Sequence, residues 1–264
     1  MAGDQAAAAG ALERYCEVYR LAPSELLAPT NGEASEADVV EQAAADYQRD
    51  RHNSFELRAD DCCLVIVDMQ EAFVRPSSLM WVPQAQRILP RLQSLAKTCR
   101  ALRIPVVLTA TVLLPGGPTD LDLYCAPSRS AGLVEGREGT RIVSELLSPG
   151  DYVLDTKHTY DAFFGTDLDV RLRAQGTKTV LIAGTLTNYC CEATARGAFD
   201  RGYHIVFGSD ITATDTAAGH EATLSTMRRG YARVMDKEQV EQALLRGDEL
   251  YARARNGAPL EAAP

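Results

Sequence analysis

Histidine is scarce in this chain. The four present, His52, His158, His204 and His220, are scattered, and none lies at ligand spacing from a cysteine, so no metal site is expected. A CxxC pair is also missing. The seven cysteines, Cys16, Cys62, Cys63, Cys99, Cys125, Cys190 and Cys191, are odd in number and sit largely within apolar runs, which suits reduced thiols in a cytosol. No run is long and apolar enough to span a bilayer. Met1 to Tyr19 holds an alanine run but no basic leader, and Asp4, Glu13 and Arg14 interrupt it, so a secretory signal is not expected. A basic block is absent too. With 36 acidic against 27 basic residues, the formal charge of -9 leaves nucleic acid and anionic membranes without an electrostatic footprint.

What is there is a repeating alternation. From about Asp60, short aliphatic or β-branched runs alternate with helical patterns, as in βα units. Six runs predict strands: Cys62 to Asp68, Pro105 to Thr111, Asp151 to Lys157, Thr179 to Thr185, His204 to Asp210 and Ala232 to Asp236. Helical spacing of Ile88, Leu92, Leu95, Ala96, Cys99 and Leu102 predicts a helix over Gln84 to Arg103, and a second follows at Asp167 to Gln175. Near-continuous apolar strands imply a sheet covered on both faces. The expected fold is therefore a three-layer α/β/α domain over residues 60–264 with a six-stranded, mostly parallel sheet. Residues 1–59 read as a helical N-terminal extension, with a helix pattern around Ser35 to Arg51. Leu113 to Gly139, rich in glycine and proline, reads as a long surface connection of the kind that often covers an active site.

Ligands of open parallel sheets bind beyond the carboxyl ends of the strands, and three reactive side chains fall there. Asp68 ends the first strand, Lys157 ends the third, and Cys190 follows the fourth through Gly184-Thr185-Leu186-Thr187-Asn188-Tyr189. Cys190 to Gly202 reads as a helix, with Asn188 as cap, Glu192 in the first turn and Gly202 as the stop. A cysteine at a helix N-terminus beside an ammonium is expected to have a lowered pKa, and its thiolate is a nucleophile. A carboxylate beside it can take the proton and later activate water, and turn amides such as those of Leu186 and Cys190 can hold an oxyanion. Each residue alone has a structural reading: a turn aspartate, a solvated lysine, a packed cysteine.

In series, the motifs resemble the isochorismatase-like cysteine hydrolases, in their amidohydrolase branch. Four segments carry the likeness: Leu64-Val-Ile-Val-Asp-Met-Gln70 with Phe73; Asp155-Thr-Lys157 followed by Tyr160, Phe163, Gly165 and Thr166; Gly184-Thr-Leu-Thr-Asn-Tyr-Cys190; and Glu192-Ala-Thr-Ala-Arg196 with Gly202-Tyr203 and Asp210. The resemblance implies Asp68 as general base, Lys157 as the group that stabilises the thiolate, and Cys190, rather than Cys191, as nucleophile. It also implies a cis peptide at Thr185-Leu186. Nicotinamidases of this family carry a D-x-H metal motif after the second strand, whereas Thr109 to Leu123 has no histidine, which disfavours a metal-dependent nicotinamidase. Isochorismatases proper lack the cysteine that is present here.

The expected activity is hydrolysis of a C–N bond in a small amide, a carbamoyl or ureido compound or a lactam, through a thioester, with no cofactor. The alternatives are an isochorismatase-type vinyl ether hydrolase and a non-catalytic binding or assembly protein on the same fold. A redox role for the Cys190-Cys191 pair is weaker, since adjacent cysteines form a strained disulfide. Phe73, Trp81, Tyr160, Phe163 and Tyr189 are the candidate substrate-binding residues, with Tyr124 beside them, and roughly half of such aromatics are expected to line the pocket. Arg196 is expected in a structural ion pair. The expected partners are a small-molecule amide and further copies of the chain, as a dimer or tetramer in the cytoplasm, with neither nucleic acid nor membrane.

Overall fold

The computed structural model describes residues 54–116 and 127–255. The extension's helix pattern around Ser35 to Arg51, Cys16, Tyr124 and Cys125 lie outside the described residues. The elements run β1 (Cys62–Val67), α1 (Glu71–Val74), α2 (Pro83–Ala101), β2 (Val106–Thr111), α3 (Pro127–Ser130), β3 (Tyr152–Lys157), α4 (Leu168–Ala174), β4 (Thr179–Thr185), α5 (Glu192–Asp200), β5 (His204–Ala213), α6 (Ala217–Gly230), β6 (Arg233–Met235), α7 (Lys237–Arg246) and α8 (Glu249–Arg255). All six anticipated strands form, in the order β3-β2-β1-β4-β5-β6. Every pairing is parallel. Crossovers on either side of β1 place helices on both faces, and β1 and β4 are buried along their whole length.

Side chains alternate between two apolar layers, as the period of a strand requires. Cys62, Leu64 and Ile66 join Leu92, Leu95 and Val240 of α2 and α7 on one face. Cys63, Val65 and Val67 join Leu172, Ala195 and Met227 of α4, α5 and α6 on the other. The five described cysteines are buried thiols. No described helix is long and apolar enough to cross a membrane.

Two features depart from the simple reading. Phe55 and Leu57, on the extension side of the division drawn at residue 60, already pack on the domain, and Leu57 is 1% exposed. Phe55 stacks on His204 at a centroid distance of 4.4 Å and its carbonyl accepts from Arg233 Nη1 at 2.8 Å. Arg233, fully buried, forks onto Asp248, which also accepts the Leu57 and Tyr251 amides at 2.8 and 3.0 Å. This clamp ties the entering chain to β6 and α8. The connection after β2 is also more than a surface loop. Leu113 and Leu133 are buried with Ala72 and Phe73 in a third small apolar cluster, and Leu113 bridges to Val134.

Candidate active site

β1 and β4 lie at the point where the strand order reverses, and their carboxyl ends open the crevice in which such folds hold ligands. Asp68 leaves β1 with φ at +46°, a left-handed conformation uncommon for a side-chain-bearing residue and found mainly where the surroundings enforce it. Its amide donates to the Thr109 carbonyl at 3.1 Å, and its carbonyl accepts the Gln70 amide at 2.8 Å. Beside it, Gly184 at φ +112° runs so close to β1 that a Cβ would sit 2.1 Å from the Val67 carbonyl oxygen, so only glycine lets the two strand ends meet.

The carboxylate of Asp68 is fully buried and fully engaged. Thr109 Oγ1 donates to Oδ1 at 2.7 Å, and Thr111 Oγ1 donates to Oδ2 at 2.8 Å. Spacing of two along β2 puts both hydroxyls on one face of the strand. Lys157 Nζ donates to Asp68 Oδ2 at 2.7 Å, to Thr111 Oγ1, and to Cys190 Sγ at 3.6 Å. Lys157 reaches this position through a register shift. Thr109 pairs with Leu154 but Thr111 pairs with Lys157, one residue beyond regular pairing. Both Leu154 and Lys157 are buried while Asp155 and Thr156 between them are exposed, so the shift turns the ammonium inward where strict alternation would have turned Thr156 inward.

Gln70, also buried, locks the same corner. Its Nε2 donates to the carbonyls of Thr111 and Thr140 at 3.0 and 3.1 Å, and its Oε1 accepts the Thr111 amide at 2.9 Å. Thr109, Thr111 and the role of Gln70 were missed in the sequence. The signal available for the threonines was a pair of hydroxyls, two apart, at the end of an otherwise aliphatic strand.

Cys190 sits in a five-residue π turn, Thr187–Cys191, that precedes α5. This corrects the expected helix start: Asn188 lies inside the turn and caps nothing, and its Oδ1 accepts the Thr214 hydroxyl at 2.6 Å. The turn is also held by His220, whose Nε2 faces the Ser209 carbonyl and whose Nδ1 faces the Thr187 hydroxyl, both at 2.9 Å. A carbonyl only accepts, so Nε2 carries the proton and Nδ1 takes the Thr187 hydrogen in the neutral ring. The Thr185-Leu186 peptide is cis. Cys191 is fully buried in the apolar layer, while Cys190 borders a cavity. Arg196 pairs with Glu192 at 2.7 Å.

The electrostatics reverse one expectation. Burial pushes the Cys190 thiol up, Asp68 pushes it the same way, and Lys157 opposes them without prevailing, so the thiol is favoured over the thiolate. Burial also works against the Lys157 charge, but Asp68 and Cys190 outweigh it and raise its pKa.

A cavity of about 350 Å³ opens over Cys190. Of the anticipated aromatics, Phe73, Trp81, Tyr160 and Tyr189 line it, joined by Leu186 and Thr111. Tyr160 and Tyr189 lean on each other at 5.6 Å. Phe163 does not line it. It is 3% exposed in the layer beneath α4 and α5, against Tyr203 and under the Arg201 guanidinium, because its neighbour Asp161 turns the chain there by accepting the Phe163 amide at 2.8 Å. The described stretch past β2 offers no D-x-H ligands. The Thr111 hydroxyl is engaged by Lys157 and Asp68 and Leu113 is packed in apolar surroundings, a donor set that does not fit a divalent cation.

Comparison with known proteins agrees with this architecture. Residues 62–239 match the isochorismatase domain family. The chain is 33% identical to nicotinamidase 3 of Arabidopsis thaliana, over 69% of this chain and 88% of that protein. It is 28% identical to the ureidoacrylate amidohydrolase RutB of Methylobacterium radiotolerans, over 69% and 78% of the two chains. A cysteine hydrolase from Pseudomonas syringae pv. phaseolicola shares the fold, with a TM-score of 0.67 at 23% identity, covering 76% of this chain and 96% of that one. The chain belongs to the isochorismatase family.

Proposed function

We propose, from that membership and from the site, that the protein is an amidohydrolase that cleaves a small non-peptide amide, ureido or lactam C–N bond through a thioester on Cys190. The observation that carries the reading is the contact of one buried ammonium, Lys157, with both Asp68 and Cys190 at the floor of a cavity. Relatives named nicotinamidase and ureidoacrylate amidohydrolase favour amide chemistry over vinyl ether hydrolysis and over a purely binding role.

The resting thiol sets the first step. As Sγ attacks the carbonyl carbon, its proton passes to Asp68, and Lys157 offsets the charge appearing on sulfur. The carbonyl oxygen becomes an oxyanion directed at the amides of Leu186 and Cys190. Asp68 returns the proton to the departing nitrogen, the C–N bond breaks, and a thioester remains. Asp68 then takes a proton from water, hydroxide adds to the thioester, and collapse expels Cys190, which recovers the proton as the acid leaves. Thr109 and Thr111 hold the carboxylate in one orientation through both half-reactions.

The test is intact-mass spectrometry with ammonia or amine release across a panel of small amides, ureido acids and lactams, comparing wild type with Cys190→Ala and Cys191→Ala. An acyl adduct and turnover present in wild type and Cys191→Ala, absent in Cys190→Ala, support the reading. Turnover that survives Cys190→Ala in a folded protein would reject it.

A further inference from the structure

Resting on the amidohydrolase reading, we propose that the pocket selects amides whose group remote from the scissile bond is cationic, received at the rim by Asp215, and turns away substrates that carry a carboxylate. The walls over Cys190 are apolar: Phe73, Met80, Val82, Leu113 and Leu133 line the cavity. Its outer part is aromatic, with Trp81 39% and Tyr189 45% exposed. Among the described lining residues, the one ionisable side chain besides Cys190 and the two tyrosines, Tyr160 and Tyr189, is Asp215, exposed just after β5, and no lysine, arginine or histidine is among them.

Nothing on the floor compensates for that negative rim. Lys157 is fully buried and taken up by Asp68, Thr111 and Cys190, so its charge is spent inside the catalytic cluster. An incoming carboxylate would lose its hydration beside Asp215, Asp68 and a sulfur acquiring negative charge, with no free cation among the described lining residues to pair with. An ammonium there gains Asp215 and the faces of Trp81 and Tyr189, the combination that binds organic cations. This separates the chain from a relative named for ureidoacrylate, an acid.

Three matched amides test the assignment: aminohexanamide, hexanamide and adipamic acid, alike in length and differing in terminal charge. The expected order of kcat/KM is cation, neutral, anion, with steps of about tenfold, the ratio a single favourable rim contact supplies. Asp215→Asn brings the cation-to-neutral ratio towards one, and Asp215→Lys inverts the order. A flat or anion-first order in wild type overturns the proposal.

A second measurement does not depend on hydrolysis. Cys190 is labelled at mildly alkaline pH with aminoethyl and sulfonatoethyl methanethiosulfonates, read by intact mass against Cys190→Ala and normalised to mercaptoethanol. The cationic reagent is expected to react at least about tenfold faster, and that preference to fall in Asp215→Asn but persist in Glu56→Gln, which changes net charge equally at an exposed position elsewhere. Equal rates, or a preference indifferent to Asp215→Asn, overturn the proposal. A preference that behaves as expected upholds the charge assignment even if none of the three amides is hydrolysed, a result that would count against the amidohydrolase reading instead.

Discussion

Replacing Asp248 by asparagine should destabilise the domain far more than one atom suggests. Asp248 accepts four N–H groups, two from Arg233 and one each from Leu57 and Tyr251. An asparagine amide must turn its NH2 towards one of the two donor pairs, either Arg233 Nη1 with Leu57 N or Arg233 Nη2 with Tyr251 N. It also removes the carboxylate charge that faces the guanidinium of Arg233, 0% exposed. Breaking a buried pair on one side costs about 3–5 kcal/mol, a large share of the roughly 5–15 kcal/mol that holds a domain folded. For a domain of this size the melting temperature should fall by roughly 6–20 °C. Paired thermal and urea unfolding of wild type and Asp248→Asn would measure it. Burial pushes the Asp248 carboxyl up, but the Arg233 hydrogen bonds and charge outweigh it and hold it below the ordinary carboxylate range. Its contribution is therefore complete above about pH 4, its unfolded value, and is lost as pH falls through the lower folded value. The stability gap between the proteins should be flat near neutrality and close in acid. A variant within about 0.5 kcal/mol of wild type at pH 7 would refute the clamp, since that is the scatter of ordinary surface changes.

Three further outcomes follow from the site. Thr109→Val and Thr111→Val each remove one donor to Asp68 with little change of volume and should lower kcat about 10- to 100-fold, with melting curves as the control for folding. Alkylation of Cys190 by iodoacetamide should be slow at neutral pH and climb with rising pH, because burial and Asp68 hold the proton on sulfur; Lys157→Met, which removes the one lowering influence, should slow it further at any given pH. Trp81→Ala should raise KM, whereas Phe163→Leu should lower stability by about 1 kcal/mol and leave KM in place, a contrast that steady-state kinetics and unfolding resolve together.

The central strands β1 and β4 and their parallel pairing were legible because each is a near-continuous apolar run, and a buried parallel sheet writes itself that way. Asp68 and Cys190 were legible for a related reason: Asp68 stands where such a run stops, and Cys190 in the turn that follows one. Thr109 and Thr111 were not, since hydroxyls at the end of a β-branched strand read as ordinary strand residues until a carboxylate is seen opposite them. The π turn was hidden because Asn188 is a good helix cap by type, and only its tertiary bond to Thr214 shows the competing use. The thiol was misjudged because a nearby ammonium is visible in a motif while the desolvation that outweighs it is a property of the packed site.

The register shift in β3 gives the enzyme a dependence on counting. Which side chain meets Cys190 is decided by one extra residue between Leu154 and Lys157 on a strand at the margin of the sheet. Were the strand to slip into regular pairing, Thr156 would replace the ammonium and the site would lose its positive charge with every amino acid unchanged. On the proposed reading, turnover is thus a gauge of backbone alignment along that margin, and engineering by insertion or deletion in β3 would retune the site without substituting Asp68, Lys157 or Cys190.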